Sequence, residues 1–478
     1  MLDSSAKATP RELFAGERVS RWPHPELLAV GAPAALAALL CLFHLGSYGL
    51  WEPDEARYAE IAREMLLSRD FVLPHLNYVL YVEKPPLLYW LTSLSFAIFG
   101  ENEFAARFFV ALFAVAGVAA TAYFALRTFD PRRATLAGAV LATMPLYAVM
   151  GQVLTTDMML ATLVTIASFA LFLQWRDGGR WCWLAYLAIA LGVLTKGPVG
   201  AALPLLTLGV FLLWQRDLAS LRRFHLIAGL AMVLAIATPW FVMMIARVPG
   251  YFDFYFVGEH LRRAFESSYS HGEPFWFYAP VLLLGLLPWS MLVPLFTWRA
   301  LAPNPARRFC LASAEVTIVA FSLASAKLIP YILPALAPLA VLIADGVATC
   351  VWPHQGAESR TTLRPPDTRI FAEAGPLLAL LGAAALVTGA RADRFSSPYP
   401  ALARPALYGI GVVMLAGGAA TLLAALRGRM SLALGALVLT LGGALLAGSF
   451  ARLETEPLRS YAALGQTIAA RAPGATVI

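Results

Sequence analysis

Charged side chains crowd into two short stretches that lie close together near the N-terminal end of the chain. WEPDEARYAEIAREM, residues 51–65, places Asp54 and Arg57 within one helical turn of each other. YVEKPPLLYW then presents Glu83 and Lys84 immediately before two prolines, which hold their neighbours in an extended shape. Cations fixed in this way suit a phosphate, and a carboxylate among them could position a hydroxyl group or accept its proton.

A third acid, Asp157, stands in LTTDMML at the start of an apolar run in which the next charged residue is Arg176. An acid at a membrane boundary is costly unless it is paired or faces an aqueous cavity. Asp54 and Asp157 could also be helix N-caps whose carboxylates accept a backbone N–H. The residue types alone therefore leave a structural and a chemical role open for both acids.

Isolated cations recur between apolar segments further along the chain. LTKGPVG contains Lys196 and SAKLIPYILP contains Lys327, and FYFVGEHLRRAFESSYSHGEPFWFY adds His260, Arg262 and Arg263. A single lysine could simply extend to the lipid headgroups. Several cations near one membrane face predict an anion site, because ammonium and guanidinium groups both bind phosphate.

The composition places these groups in a membrane protein. Of 478 residues, 59% are hydrophobic and 14% are charged, whereas soluble domains carry about 25% charged residues. Apolar runs that reach the length of about 20 residues needed to span a bilayer recur along the chain. We predict an all-α polytopic protein with thirteen transmembrane helices, near 27–47, 103–126, 134–150, 155–175, 181–194, 198–214, 224–246, 275–297, 309–325, 328–350, 374–390, 405–426 and 431–450.

The positive-inside rule orients these helices. With a cytoplasmic N-terminus, the basic links RTFDPRR, WRDGGR, WQRDLASLRR and LRGRM all face the cytoplasm, so the net charge of +7 needs no nucleic-acid partner. Residues 1–26 are then expected to be a cytoplasmic arm and 27–450 a transmembrane catalytic domain. Residues 451–478 should begin a C-terminal periplasmic segment that looks short or truncated.

The acids and cations described above then lie on the outer face, mainly in loops near 48–102 and 247–274. The first loop should contain helices that lie in the membrane interface, one of them beginning at Asp54. In that helix Ala59, Ala62, Met65 and Leu66 form an apolar stripe. Arg57, Glu60 and Glu64 are expected on its polar side.

Six stretches between residue 50 and about residue 345 resemble a known family. They are WEPDEARYAEIAREM, LYVEKPPLLYWLTSLSFAIFGENEFAARF, LTTDMML, LTKGPVG, FVGEHLRRAF and KLIPYILPALAPLA. The chain resembles the membrane glycosyltransferases that use polyprenyl-phosphate sugars, known as the GT-C class. Within that class it is similar to the lipid A 4-amino-4-deoxy-L-arabinose transferase family and, more distantly, to protein O-mannosyltransferases. The resemblance implies thirteen helices in the bacterial inner membrane, with a periplasmic active site and C-terminus.

The resemblance also implies roles for individual residues. Asp54 and Asp157 match the two acids taken as catalytic in this class. Together with the cation pattern, it predicts a donor-phosphate site of Arg57, Lys84, Lys196, Arg262, Arg263, Lys327 and Tyr331. Tyr58, Tyr81 and Glu83 should line the same cavity. No cofactor is required, although Glu83 and His260 are candidate ligands for a divalent metal.

The implied reaction moves a sugar, in this family 4-amino-4-deoxy-L-arabinose, from undecaprenyl phosphate to a lipid A phosphate by direct, inverting displacement. The departing phosphate needs no proton if fixed cations meet its charge. If the acceptor were a hydroxyl group, Asp54 would have to act as a base. Two alternatives stay open: a transferase of the same fold that modifies a protein hydroxyl or another envelope glycolipid, and a lipid or solute transporter. We find no internal repeat of the kind common in transporters, and we expect a monomer.

Overall fold

The structure is a computed structural model that describes residues 25–262, 273–292, 304–352 and 369–455, together with residue 471. Within these ranges, eight helical segments are long and apolar enough to cross a membrane: Pro25–Leu42, Glu103–Thr128, Thr156–Asp177, Leu226–Arg247, Ile329–Val351, Glu373–Ala390, Arg404–Leu426 and Met430–Thr455. Leu87–Phe99, Trp181–Lys196 and Val199–Gln215 are shorter apolar helices. The prediction of an all-α polytopic membrane protein is confirmed, and the count of thirteen spans stays a prediction.

We number the described α-helices in chain order. They are α1 (Pro25–Leu42), α2 (Asp54–Ser68), α3 (Leu87–Phe99), α4 (Glu103–Thr128), α5 (Pro131–Thr143), α6 (Pro145–Met150), α7 (Thr156–Asp177), α8 (Trp181–Lys196), α9 (Val199–Gln215), α10 (Leu226–Arg247), α11 (Tyr278–Gly285), α12 (Pro305–Leu323), α13 (Leu333–Val351), α14 (Arg369–Ala390), α15 (Tyr399–Leu402), α16 (Arg404–Leu426) and α17 (Met430–Thr455).

Shorter elements complete the described chain. A two-stranded antiparallel ribbon between α2 and α3 joins β1 (His75–Leu76) to β2 (Val79–Leu80), with His75 opposite Leu80. A π-helix covers Asp253–Arg262, and 3₁₀ turns cover Leu218–Phe224, Trp289–Leu292, Ile329–Ile332 and Ala392–Arg394. The turn Ile329–Ile332 contains Tyr331 and leads directly into α13.

The predicted span 134–150 is divided into α5 and α6, and a proline explains the break. Met144 has an extended backbone (φ −67°, ψ 121°) immediately before Pro145. The ring of a proline disfavours the helical conformation of the preceding residue and removes a backbone N–H donor. The chain therefore leaves the helix at Met144 and starts a new one at Pro145.

Two helices form the centre of the bundle. Helices α7 and α13 are almost completely buried. Helix α4 packs against α1, α5 and α7, while α13 packs against α5, α7 and α12. Helices α2 and α3 pack against each other, and α3 also contacts α4. This packing brings the N-terminal ends of α2 and α7 and the turn before α13 to one end of the bundle, which we call the site end.

Candidate active site

Asp54 is the first residue of α2 and lies at the surface. Pro53 occupies the cap position, and no side-chain cap hydrogen bond is present at this described helix start. The N-cap alternative for Asp54 is therefore wrong. The Asp54 side chain is 56% exposed, and its Oδ1 lies 3.7 Å from Nη1 of Arg57 on the next helical turn. An exposed carboxylate beside a guanidinium is available to contact a substrate.

Two tyrosines surround Arg57 with hydroxyl groups. Tyr81 lies beside Arg57 and donates its hydroxyl hydrogen to Oε2 of Glu83 at 2.9 Å. Burial and the neighbouring Glu83 carboxylate raise the pKa of Tyr81. Burial also raises the pKa of Tyr58 well above its usual value, and Asp54 and Asp157 contribute to this shift. Both hydroxyl groups therefore stay protonated at neutral pH. The Tyr81 hydrogen is donated to Glu83, and its oxygen accepts a hydrogen bond from Arg57.

Asp157 is paired with a lysine from another helix. Thr155 is the N-cap of α7 and makes no side-chain cap bond, and the Asp157 carboxylate forms an ion pair with Nζ of Lys196. Nζ of Lys196 also lies 4.1 Å from the centroid of the Tyr331 ring. The side chains of Asp157 and Lys196 are 11% and 17% exposed. A partly shielded carboxylate at a membrane boundary thus has the partner that its cost requires.

Glycines place Lys196 at this position. Lys196 is the last residue of α8, and Gly197 then takes a positive φ of 78° that reverses the chain into α9. Such a φ is strained for residues with a Cβ atom. Gly192 and Gly200 meet closely across the turn, where a Cβ atom on Gly200 would lie 2.3 Å from the Gly192 carbonyl carbon. The tight α8–α9 turn holds the ammonium group at the site end.

The other two predicted lysines differ in their surroundings. Lys84 is partly buried and lies just before α3, for which Pro86 is the N-cap. Lys327 is 5% exposed and donates hydrogen bonds to the carbonyl oxygens of Glu273 at 2.8 Å and Ala324 at 2.6 Å. Those two bonds use most of its donor capacity. Its predicted contact with a donor phosphate stays a prediction.

Part of the predicted site lies outside the described residues. This applies to Arg263 and to the side chains of His260 and Arg262. Across the ranges that the structure describes, no group of three or more His, Cys, Asp or Glu side chains could hold a metal ion. The metal site at Glu83 and His260 stays a prediction, and Glu83 accepts the Tyr81 hydroxyl hydrogen.

Two acids of α2 differ from the sequence-based prediction. Glu64 was placed on the wrong face of the helix, and Glu55 was not identified. Glu64 was expected on the polar side of the helix, but it is 5% exposed and accepts the backbone N–H of Tyr78 at 3.1 Å. That prediction is wrong because the ribbon folds over this face of α2. Glu55 is also buried and pairs with Arg107 of α4. The signal for this pair was available, since a charge inside a long apolar segment such as Arg107 demands a partner.

A cavity of about 540 Å³ adjoins the site on another face of α2. Arg57 is part of its lining, and so are Glu60, Arg63, Glu101 and Glu103. Arg63 donates two hydrogen bonds to Glu60, at 2.8 and 2.7 Å. Hydrogen bonds from Arg63 lower the pKa of Glu60, so this carboxylate is charged at neutral pH. Arg57 thus lines this cavity, and its charge also influences the pKa of Tyr58, as the charges of Asp54 and Asp157 do.

Residues 83–243 match a family model described as dolichyl-phosphate-mannose-protein mannosyltransferase. A Shewanella sediminis protein named undecaprenyl phosphate-alpha-4-amino-4-deoxy-L-arabinose arabinosyl transferase is 36% identical over 318 residues, which are 65% of this chain and 58% of that protein. A Pseudomonas fluorescens protein with the same name and the suffix 2 is 34% identical over 354 residues, 72% of this chain and 59% of its own length. The chain spans less than two thirds of the length of these curated relatives.

A solved structure shares most of the architecture. The crystal structure of ArnT from Cupriavidus metallidurans bound to undecaprenyl phosphate superposes with a TM-score of 0.78 at 28% identity, over 94% of this chain and 81% of that one. The structure of the same protein in the apo state gives a TM-score of 0.78 over 92% and 79% of the two chains. The match confirms the predicted GT-C membrane fold.

Proposed function

We propose that this chain, which belongs to the family of lipid A 4-amino-4-deoxy-L-arabinose transferases, transfers this sugar from undecaprenyl phosphate to a phosphate of lipid A. The observation that carries the proposal is the meeting of Asp157, Lys196 and Tyr331 from three separate segments at the end of the bundle where Asp54 and Arg57 lie. Carboxylates and cations from distant parts of the chain converge there. The names of the relatives supply the sugar and the lipid carrier.

We assign the donor phosphate to Arg57, Lys84 and Lys196. Arg57 offers a planar guanidinium and the two lysines offer point charges, which suit the oxygens of a phosphate diester. During transfer, an acceptor oxygen bonds to the anomeric carbon while the bond from that carbon to the lipid phosphate breaks. The bonding electrons stay on the leaving phosphate, where the cations stabilise the added charge. Direct displacement of this kind inverts the anomeric centre.

Asp54 and Asp157 then act on the sugar. Their negative charge would stabilise the positive charge that develops at the anomeric carbon, and Asp157 can turn from Lys196 towards the sugar once a phosphate engages the ammonium group. A lipid A phosphate is itself an anionic nucleophile, so no strong base is needed. Tyr81 accepts a hydrogen bond from Arg57 and so helps to orient the guanidinium, and the protonated Tyr58 hydroxyl lies close by.

A second candidate acceptor is a protein hydroxyl group. The observation in its favour is the match of residues 83–243 to a model described for protein mannosyltransferases. With a hydroxyl acceptor, a base must remove the proton, and the exposed Asp54 carboxylate is the candidate. For either acceptor, we propose a bacterial inner-membrane location with the site end in the periplasm, as the distribution of basic links suggests.

Mass spectrometry of lipid A tests the proposal. The gene is deleted in its own bacterium and restored as wild type, as Asp54→Asn, or as Asp177→Asn, a control in a partly exposed ion pair with Arg127. We expect the aminoarabinose mass on lipid A phosphates with wild type and the control, and not with Asp54→Asn. If lipid A were unmodified in every strain while the protein was present in the membrane, the lipid A acceptor would be rejected. Protein glycans would then be compared in the same strains.

A further inference from the structure

An ion pair that is almost completely enclosed lies directly behind the two candidate catalytic acids. The side chains of Arg107 and Glu55 are 0% and 1% exposed. Nε of Arg107 lies 2.8 Å from Oε1 of Glu55, and Nη2 lies 2.7 Å from Oε2. This two-pronged contact fixes the angle between α2 and α4 as well as their separation, because both side-chain groups are planar.

Arg107 also binds the backbone that leads from α1 into α2. Nη1 donates to the carbonyl oxygens of Leu45 at 3.0 Å and Tyr48 at 2.9 Å, and Nη2 donates to that of Gly49 at 2.9 Å. The guanidinium carbon lies 4.0 Å from the centroid of the Tyr48 ring. The arginine thereby holds the approach to Asp54 at several consecutive points.

Glu55 reaches the other catalytic segment. Its Oε1 accepts the backbone N–H of Leu154 at 2.8 Å, and its Oε2 accepts that of Trp51 at 3.0 Å. Each carboxylate oxygen thus accepts one hydrogen bond from Arg107 and one from the backbone. Glu55 follows Asp54 directly, and Leu154 precedes Asp157 by three residues. One carboxylate is therefore bonded to both segments that carry the acids.

We propose that Glu55 and Arg107 are positioning residues that set the separation of Asp54 and Asp157 for sugar transfer. This inference rests on the proposed function. A buried ion pair is a poor source of stability, since apolar side chains of similar size often stabilise a protein as well or better. Its value here is geometric. A displacement of about 1 Å in a reacting group can slow an enzyme by about a hundredfold.

The test uses the purified full chain with undecaprenyl-phosphate-linked 4-amino-4-deoxy-L-arabinose as donor and lipid A as acceptor, and it measures kcat and the KM for the donor separately. Glu55→Gln keeps the shape of the side chain but replaces one acceptor oxygen with an N–H donor that faces the donors of Arg107. Arg107→Lys keeps the positive charge but loses the two parallel hydrogen bonds of the guanidinium group. Arg127→Lys is the matched control, because Arg127 also lies in α4 and contacts Asp177 of α7 at 2.9 Å, at the other end of both helices. Hydrogen exchange of the peptide 151–156 reports the Leu154 amide without reference to activity.

We expect kcat to fall by about a hundredfold in Glu55→Gln and Arg107→Lys, with KM little changed and faster exchange of peptide 151–156. Arg127→Lys should match wild type in every reading. Wild-type kcat in Glu55→Gln despite faster exchange would overturn the positioning role. Binding of undecaprenyl phosphate measures the fraction of each variant that is folded. If kcat fell only in proportion to that fraction, the positioning role would also be overturned. An inactive wild type would instead count against the proposed function, which separates the two failures.

Discussion

Two aspartates near opposite ends of the bundle meet cations in different ways. Asp345, in α13, is 4% exposed. Its Oδ1 accepts a hydrogen bond from Nε of Arg133 at 2.8 Å, and its Oδ2 accepts one from Nε of Arg307 at 2.6 Å. Asp157 meets the ammonium group of Lys196, which lies beside Tyr331 just before α13 begins. Asp345 lies twelve positions after Leu333, the first residue of α13, so the two clusters are about 18 Å apart along that helix.

The difference separates a structural cluster from a candidate reactive one. At Asp345, guanidinium groups from α5 and α12 hold both carboxylate oxygens and join three helices. At Asp157, the partner is the ammonium group of Lys196, which is carried by a flexible aliphatic side chain. The side chains of Asp157 and Lys196 are both partly exposed to solvent. A lysine in this setting can transfer its contact to a phosphate, whereas Arg133 is held by Asp130 as well as by Asp345.

The largest expected difference between the two clusters is in activity. Asp157→Asn should lower sugar transfer by about a hundredfold to a thousandfold, because it removes charge that stabilises the transition state. The protein should still fold and bind undecaprenyl phosphate. Transfer assays on purified protein, with Asp177→Asn as the control, measure the effect. Wild-type turnover in Asp157→Asn would assign that residue to the structural class of Asp345.

Stability should show the reverse order. Asp345→Asn removes the charge that Arg133 and Arg307 share. Although Arg133 keeps its ion pair with Asp130, the loss should cost up to about 3–5 kcal/mol, the usual range for a broken buried pair. Asp177→Asn removes a partly exposed pair and should cost less than about 1 kcal/mol. Unfolding of the detergent-solubilised variants measures both. Equal stability of the two variants would mean that the Asp345 cluster does not join the helices as described.

Lys196 should govern donor affinity. Lys196→Met removes a charged hydrogen-bond donor, worth about 1.5–3 kcal/mol, so binding of undecaprenyl phosphate should weaken by about tenfold to a hundredfold. Lys196→Arg should bind more tightly than Lys196→Met because it keeps the positive charge. Titration of the purified variants, with Arg127→Met as control, gives the affinities. Unchanged binding in Lys196→Met would remove Lys196 from the phosphate site.

The smallest expected effect is on lipid-phosphate binding when the Tyr331 ring beside Lys196 is replaced. A cation over an aromatic face is worth about 0.5–2 kcal/mol. Tyr331→Leu should therefore weaken undecaprenyl phosphate binding several-fold, while Tyr331→Phe, which keeps the ring, should stay close to wild type. If Tyr331→Phe lost as much affinity as Tyr331→Leu, the hydroxyl group rather than the ring would be the contact.

The sequence allowed the apolar helices and several site residues to be predicted because both leave local signals. Asp157 and Lys196 stood out as charges at the ends of apolar runs, and they lie at the start of α7 and the end of α8. Their direct pairing depends on how α7 and α8 pack, which no local pattern reports. The burial of Glu64 under the ribbon likewise depends on a contact with Tyr78, fourteen residues away.

Reconstituted transfer tests the central claim most directly. Purified chain in vesicles receives undecaprenyl-phosphate-linked 4-amino-4-deoxy-L-arabinose and lipid A, and the products are measured by mass spectrometry. The account predicts modified lipid A and free undecaprenyl phosphate with wild type and with Asp177→Asn, and almost none with Asp54→Asn or Asp157→Asn. Equal product from all four proteins would contradict the assignment of the site, and no product from any of them would contradict the assignment of the reaction.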